Sequence, residues 1–203
     1  MALTRITPPD GYPVTLAEVK FHVHAEDFTD DDATLLRLIA EETDHLDGWW
    51  GILNKALKPQ AWELRLDAFP SGSIQIPLGP LISVTSVKYD DADGNEQTVA
   101  PADYFVDTVT ENGWIVPVAE FSWPETIDAA NAVRILFEAG YPDEPDTSSG
   151  AESGALISTV PASIKGAIIL RVAARYEKRE DDAQPETTAA DRLVNPHRPL
   201  LLA

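Results

Sequence analysis

The chain contains no cysteine, which excludes a disulfide framework, a thiolate metal site and thiol-based catalysis. Basic residues are scarce: 15 Lys and Arg stand against 34 Asp and Glu, a formal net charge of -19 over 203 residues. Binding along a nucleic-acid groove neutralises phosphates with Lys and Arg, so this balance points away from it and toward solubility. Long apolar runs are missing as well. No stretch approaches 18 consecutive apolar residues, and the opening MALTRITPPDGYP holds no apolar run, so neither a signal peptide nor a membrane contact is expected. Histidine is sparse. His22 and His24 stand two apart, which on a helix points them in different directions, and with His45 and His197 as the remaining pair no metal site and no cofactor is expected. No GxSxG, phosphate loop, dinucleotide fingerprint or HExxH occurs.

What is present supports a folded core, since 44% of the residues are hydrophobic. Thr15-Leu-Ala-Glu18 is a capping box that should open a short helix to about Val23, carrying Leu16, Val19, Phe21 and Val23. The acidic run Glu26 to Asp32 leads into a second helix, where Asp30, Asp31 and Asp32 favour the positive end and Leu35, Leu38, Ile39 and Leu46 form one stripe. Trp49 and Trp50 follow, with Ile52, Leu53 and Leu57 extending the helix or making one more turn before Pro59. After Pro59 the period changes to two. Strands are expected at Trp62 to Leu66, Ser73 to Ile76, Ile82 to Tyr89 with a bulge or register change, Glu96 to Val99, Tyr104 to Asp107, Trp114 to Val118 and Ala132 to Glu138.

Asp91-Ala-Asp93-Gly94-Asn95-Glu96 superficially resembles part of a calcium loop. Its flanks read as strands, and Tyr89 would fall at the first ligand position, so a hairpin turn using the positive φ of Gly94 is the preferred reading over weak calcium binding. Gly140 to Gly154 is loop by composition. From Pro161 the strongest amphipathic helix runs to about Arg179, with Ile164, Ile168, Val172 and Tyr176 every four residues. Burying those four side chains would contribute roughly 6 to 12 kcal/mol before chain entropy is subtracted. A polar linker, a last helical turn or two around Thr187 to Val194, and an extended arm from Asn195 complete the chain.

Helices at both ends with strands between imply an α+β fold. A helical domain is built from residues 1–59 and 160–203, with a small, mainly antiparallel β unit at 60–140 inserted and a loop at 141–159. From Val160 to Ala203 seven bases face six acids, so nearly all the negative charge lies before residue 160. That asymmetry suits contact between copies. Arg171, Arg175 and Lys178 or Arg179 could pair with Glu26, Asp27, Asp30, Asp31 and Asp32 of a neighbour, or else solubilise an outer face.

The ordered set Val14-Thr-Leu-Ala-Glu-Val-Lys20, Asp31-Asp-Ala-Thr-Leu-Leu36, Trp62-Glu-Leu64, Ile76-Pro-Leu-Gly-Pro-Leu-Ile-Ser-Val-Thr-Ser-Val-Lys-Tyr89, Asp91-Ala-Asp-Gly94, Pro101-Ala-Asp-Tyr104, Trp123-Pro124, Val133-Arg-Ile-Leu-Phe-Glu-Ala-Gly-Tyr141, Val160-Pro-Ala-Ser-Ile-Lys165 and Tyr176 to Arg179 resembles the head-tail connector (adaptor) proteins of tailed bacteriophages and gene transfer agents. The resemblance implies a non-enzymatic subunit of the virion or phage-like particle, assembled in the host cytoplasm. It would form a ring of twelve neighbouring copies beneath the portal protein, extend the DNA channel without sequence-specific binding, and offer a surface to a downstream neck or tail stopper protein. It further implies ring packing by Leu35, Leu38, Ile39, Ile164, Ile168 and Val172 with neighbours such as Tyr176. Portal docking would fall to Asn195, Pro196, His197, Arg198, Pro199, Leu200, Leu201 and Leu202. Two other readings stay open: a monomeric module binding peptide or glycan through Trp62, Trp114 or Trp123, and a hydrolase using paired carboxylates.

Overall fold

The computed structural model describes residues 1–147, 156–178 and 188–199. The chain divides into two compact units: Met1–Asp10 with Lys58–Tyr141, and Gly11–Leu57 with Pro142–Ala203.

The first unit is the β unit. Its main sheet holds β1 (Ala2–Thr7), β2 (Gln60–Leu66), β4 (Leu81–Asp90), β5 (Glu96–Thr98) and β8 (Val133–Ala139) in the order β1-β2-β8-β4-β5, all antiparallel. The smaller sheet runs β3 (Ile74–Gln75), β7 (Trp114–Pro117), β6 (Tyr104–Asp107). Alternation along β8 sets the core: Val133, Ile135, Phe137 and Ala139 are buried while Arg134, Leu136 and Glu138 are half-buried. Trp62 and Leu64 of β2 lie opposite Phe137 and Ile135 and share that buried face. The register shifts in β4 fall between Leu81 and Ser83 and between Val84 and Ser86, which brings Val87 into the core.

The strand β1 corrects the sequence reading, which placed residues 1–10 with the helical domain. Only Leu3 of β1 is buried, so this edge strand carries no alternating apolar pattern to announce it. Gly140 ends β8 at φ +136, and a Cβ there would stand 2.2 Å from the Lys58 carbonyl oxygen, so no other residue fits.

The second unit is helical: α1 (Leu16–His22), α2 (Asp32–Leu46), α3 (Ala162–Glu177) and α4 (Ala189–Val194), with a hairpin of β9 (Asp143–Pro145) and β10 (Leu156–Ser158). The helix α3 packs on α1, α2 and α4, so helices from the two sides of the β unit in sequence close on one core as expected. The Thr15 hydroxyl accepts from the Glu18 N–H and the Glu18 carboxylate accepts from the Thr15 N–H, completing the anticipated capping box. Thr188 and Asp191 cap α4 in the same way. On α1 only Val19 of the expected apolar set is buried. Phe21 stands 72% exposed, because two residues on from Val19 a helix has turned to its far side. After α2 the chain does not continue as helix: Gly48 takes φ +78, Asp47 and Gly48 bridge to Lys55, and the Asp47 carboxylate accepts the Leu57 N–H at 2.7 Å. That turn folds Leu53, Ala56 and Leu57 into the core and leaves Trp50 77% exposed.

Candidate interaction surfaces

Leu35, Leu38 and Ile39 on α2 and Ile164, Ile168 and Val172 on α3 are all buried in the chain's own helical core, none more than 4% exposed. These side chains hold the helical unit together from within one chain. The reason is one of supply: a 15-residue and a 16-residue helix facing each other need both stripes to exclude water from their seam. Among the described residues of this unit, the large apolar side chains that face outward are Tyr12, Phe21, Phe28, Leu36, Trp50, Leu156 and Ile157.

The basic helix finds acids within its own chain. Arg171 Nε donates to the Glu42 carboxylate at 3.1 Å and Arg175 Nη1 to the same group at 2.9 Å, while Arg175 also reaches Glu41 at 2.7 Å and Arg171 lies 3.7 Å from Asp191. The hydrogen bonds to Glu42 and then Glu41 hold the Arg175 guanidinium above its ordinary value, and those from Arg37 and Arg175 hold the Glu41 carboxyl below its own. Arg171 and Arg175 are candidates for pairing with a neighbour, and the acids they meet within the chain, Glu41 and Glu42 on α2 and Asp191 on α4, lie outside the Glu26 to Asp32 run. Within that run, Asp32 pairs with the buried Lys20 at 2.7 Å and Asp31 accepts from the half-buried Tyr176 hydroxyl at 2.7 Å. Glu26, Asp27 and Asp30 are exposed, as is Lys178 at the end of α3; Arg179 lies outside the described residues.

The base of the expected arm is anchored. Asn195–His197 forms a 3-10 turn after α4, and His197 Nε2 lies 2.7 Å from the Ser163 hydroxyl at the start of α3. Ala190 and Val194 are buried beneath it. The Thr188 backbone N–H and hydroxyl, with Arg171 and Arg198 nearby, keep the Asp191 carboxyl below its ordinary value. Pro196, Arg198 and Pro199 are exposed, whereas Leu200, Leu201 and Leu202 lie outside the described residues.

On the β unit, aromatic side chains far apart in sequence converge. Phe69 and Trp123 stack with centroids 4.9 Å apart and planes 7° from parallel, Phe121 meets Trp123 edge-on at 5.7 Å, and Tyr89 meets Phe69 edge-on at 5.6 Å. The Trp123 indole N–H donates to the Gly72 carbonyl at 2.8 Å and fixes the ring. Phe69, Phe121 and Trp123 with Pro117, Pro124 and Glu125 line an open groove of about 590 Å³. Of the three tryptophans considered for binding, only Trp123 lines it, since Trp62 is buried in the main sheet and Trp114 sits half-buried in β7. Sequence reading missed Phe69 because its stacking partner Trp123 lies roughly fifty residues away, and Phe121 because only the folded groove gives its contact with the nearby Trp123 a role.

Elsewhere on the β unit several carboxylates are paired. Asp90 and Glu96 both bind Arg134, and Lys88 closes the set at 2.8 Å from Glu96. The Asp91 carboxylate accepts from the Asp93 and Asn95 N–H groups and from the Gln97 amide, which is how the Gly94 hairpin is held. Among the described residues no group of three or more His, Asp or Glu side chains is placed to hold a metal ion. Among the described residues no helix is long and apolar enough to cross a membrane.

No family model matches the chain and no curated protein matches it. Solved structures do. A chain of the virion of a native gene transfer agent (GTA) particle superposes with a TM-score of 0.73 at 24% identity, covering 98% of this chain and 95% of that one. A chain from the neck of the empty GTA particle computed with C6 symmetry gives 0.70 at 23%, and one from the neck of the native particle computed with C12 symmetry gives 0.68 at 24%, each over the same shares. The likeness is one of fold, and it spans both units.

Proposed function

We propose that this protein is a structural subunit of the head-tail connector of a phage-like particle, non-enzymatic and located at the neck. The observation that carries the reading is the fold shared end to end with chains whose structures are described as GTA virion and neck, in agreement with the ordered sequence motifs. Twelve copies form a ring, a number supported by the C12 symmetry of one of those necks. The ring joins the portal protein to a downstream neck or tail stopper and extends the DNA channel. An excess of acid on the subunit suits passage of a duplex, because like charge opposes adhesion.

With the helical stripes committed to the core, neighbours in the ring meet through the outward apolar side chains of the helical unit, Phe21, Phe28 and Trp50 foremost. The exposed Glu26, Asp27 and Asp30 of one copy pair with Lys178, at the C-terminal cap of the next copy's α3, and with Arg179, which follows it in sequence. His197 is held to Ser163, so portal docking falls to the residues that follow it, Arg198, Pro199, Leu200, Leu201 and Leu202, with Asn195 and Pro196 at the base of the arm.

Changing Leu200 and Leu201 to Asp tests the arm. Co-sedimentation with the portal should be lost while the circular dichroism spectrum stays that of the parent; retention of portal binding would remove the arm from the interface.

A further inference from the structure

The aromatic groove of the β unit lies in an unusually one-sided electrostatic setting. Between Tyr89 and Val133 the chain carries ten acids and no Lys, Arg or His; Asp90 and Glu96 are met by Arg134 and Lys88 from just outside that run, the other eight have no base within it, and the lining residues 68–71 carry no charge. Glu125 sits on the groove itself, and Glu120 and Asp128 flank its wall in sequence; all three are exposed and make no ion pair among the described residues. Aromatic faces beside uncompensated carboxylates attract a cation twice, through the ring quadrupole and through the charge. Nucleic acid and anionic lipid are repelled by the same field.

The walls are also stiff. Three prolines, Pro70, Pro117 and Pro124, hold the lining segments, and Trp123 is fixed by its stack on Phe69 and its bond to Gly72, so little order remains to be imposed on binding. A volume of about 590 Å³ accommodates a few residues of extended chain. A prolyl ring lies well against an aromatic face, and an extended proline-rich strand enters such a groove already ordered.

We infer that this groove is a docking site for an extended, multiply basic, proline-containing segment of a different protein of the particle. A second copy of this chain fits the field poorly. Its β unit is equally acidic, and its segment Asn195 to Ala203, though it has two prolines, brings Arg198 as its single Lys or Arg. The inference rests on the particle reading for the source of the segment, whereas the chemistry of the groove stands on the β unit alone.

The test uses the full chain and three labelled peptides read by fluorescence anisotropy. They are a hexapeptide alternating proline and arginine, its counterpart with glutamate for arginine, and the chain's own residues 195–203. The basic peptide should bind saturably and weaken with added salt, the acidic one should not bind, and the chain's own segment should bind at least about tenfold more weakly than the basic one. Glu125→Lys, at an exposed position, should weaken the basic peptide about tenfold with an unchanged circular dichroism spectrum, and Phe121→Ala should weaken it as well. The inference is overturned by absence of saturable binding, by equal binding of the acidic peptide, or by indifference to Glu125→Lys. Binding of residues 195–203 as tight as that of the basic peptide would assign the groove to a second copy instead. Ring formation on a portal is read separately, so failure here leaves the connector reading intact, and failure there leaves the groove chemistry intact.

Discussion

Replacing Glu42 by Gln separates an internal role for the basic helix from a role between copies. Glu42 is 7% exposed and its carboxylate accepts from both Arg171 and Arg175. Gln keeps the shape and one carbonyl acceptor, and loses the charge and one acceptor oxygen. Charge-assisted hydrogen bonds contribute about 1.5 to 3 kcal/mol each when shielded from water. Both arginines keep a second acid, Asp191 or Glu41, and the Arg175 side chain is 46% exposed, so solvent screening reduces the loss to about 2 kcal/mol in total. For a chain of this size that lowers Tm by about 4 to 8 °C. Urea denaturation followed by far-ultraviolet circular dichroism measures it directly. A change below about 0.5 kcal/mol, together with loss of ring assembly, would refute the internal assignment and return Arg171 and Arg175 to an intersubunit contact.

Ile168→Ala, emptying a fully buried position on α3, should cost about 3 kcal/mol in the same assay, and a cost below about 1 kcal/mol would mean the α2–α3 seam is not the core described. Gly140→Ala places a Cβ 2.2 Å from the Lys58 carbonyl at φ +136 and should destabilise by about 3 kcal/mol, with loss of soluble expression as the alternative readout. For pH, Glu18, Glu41, Asp90, Asp91, Glu96 and Asp191 are all held below their ordinary values in the fold, Glu18 because the Thr15 bonds and Lys165 outweigh the upward push of burial. Below their ordinary values of 4.5 and 3.8 the unfolded chain therefore binds more protons. The stability these groups contribute is complete above that range and is lost as pH falls through the depressed folded values, so denaturation midpoints that stay flat from pH 5 to about pH 2 would contradict the pairings.

The parts of the fold legible in the sequence are those where burial imposes a period. The stripe Leu35, Leu38, Ile39, Leu46, the four-residue spacing from Ile164 to Val172, the strict alternation of β8 and the Thr15-Glu18 capping box all state their structure locally. Illegible were features defined by a partner elsewhere in the chain. The strand β1 buries Leu3 alone, β9 and β10 sit inside a stretch whose composition says loop, and Phe69 meets the Phe121–Trp123 pair only because the β unit folds them together. Charge complementarity was visible, but sequence does not say which copy supplies the acid; Glu41 and Glu42 take Arg175 because α2 and α3 are packed side by side. The groove's acidity was legible as a long run without a base, while its concavity was not.

The connector assignment meets its most direct test in electron microscopy of the purified chain mixed with its portal protein. Annular particles on the portal, with twelvefold averaged density for the two-unit subunit, are the expected result. Portal and chain remaining as separate species, the chain an unchanged compact monomer, would contradict it.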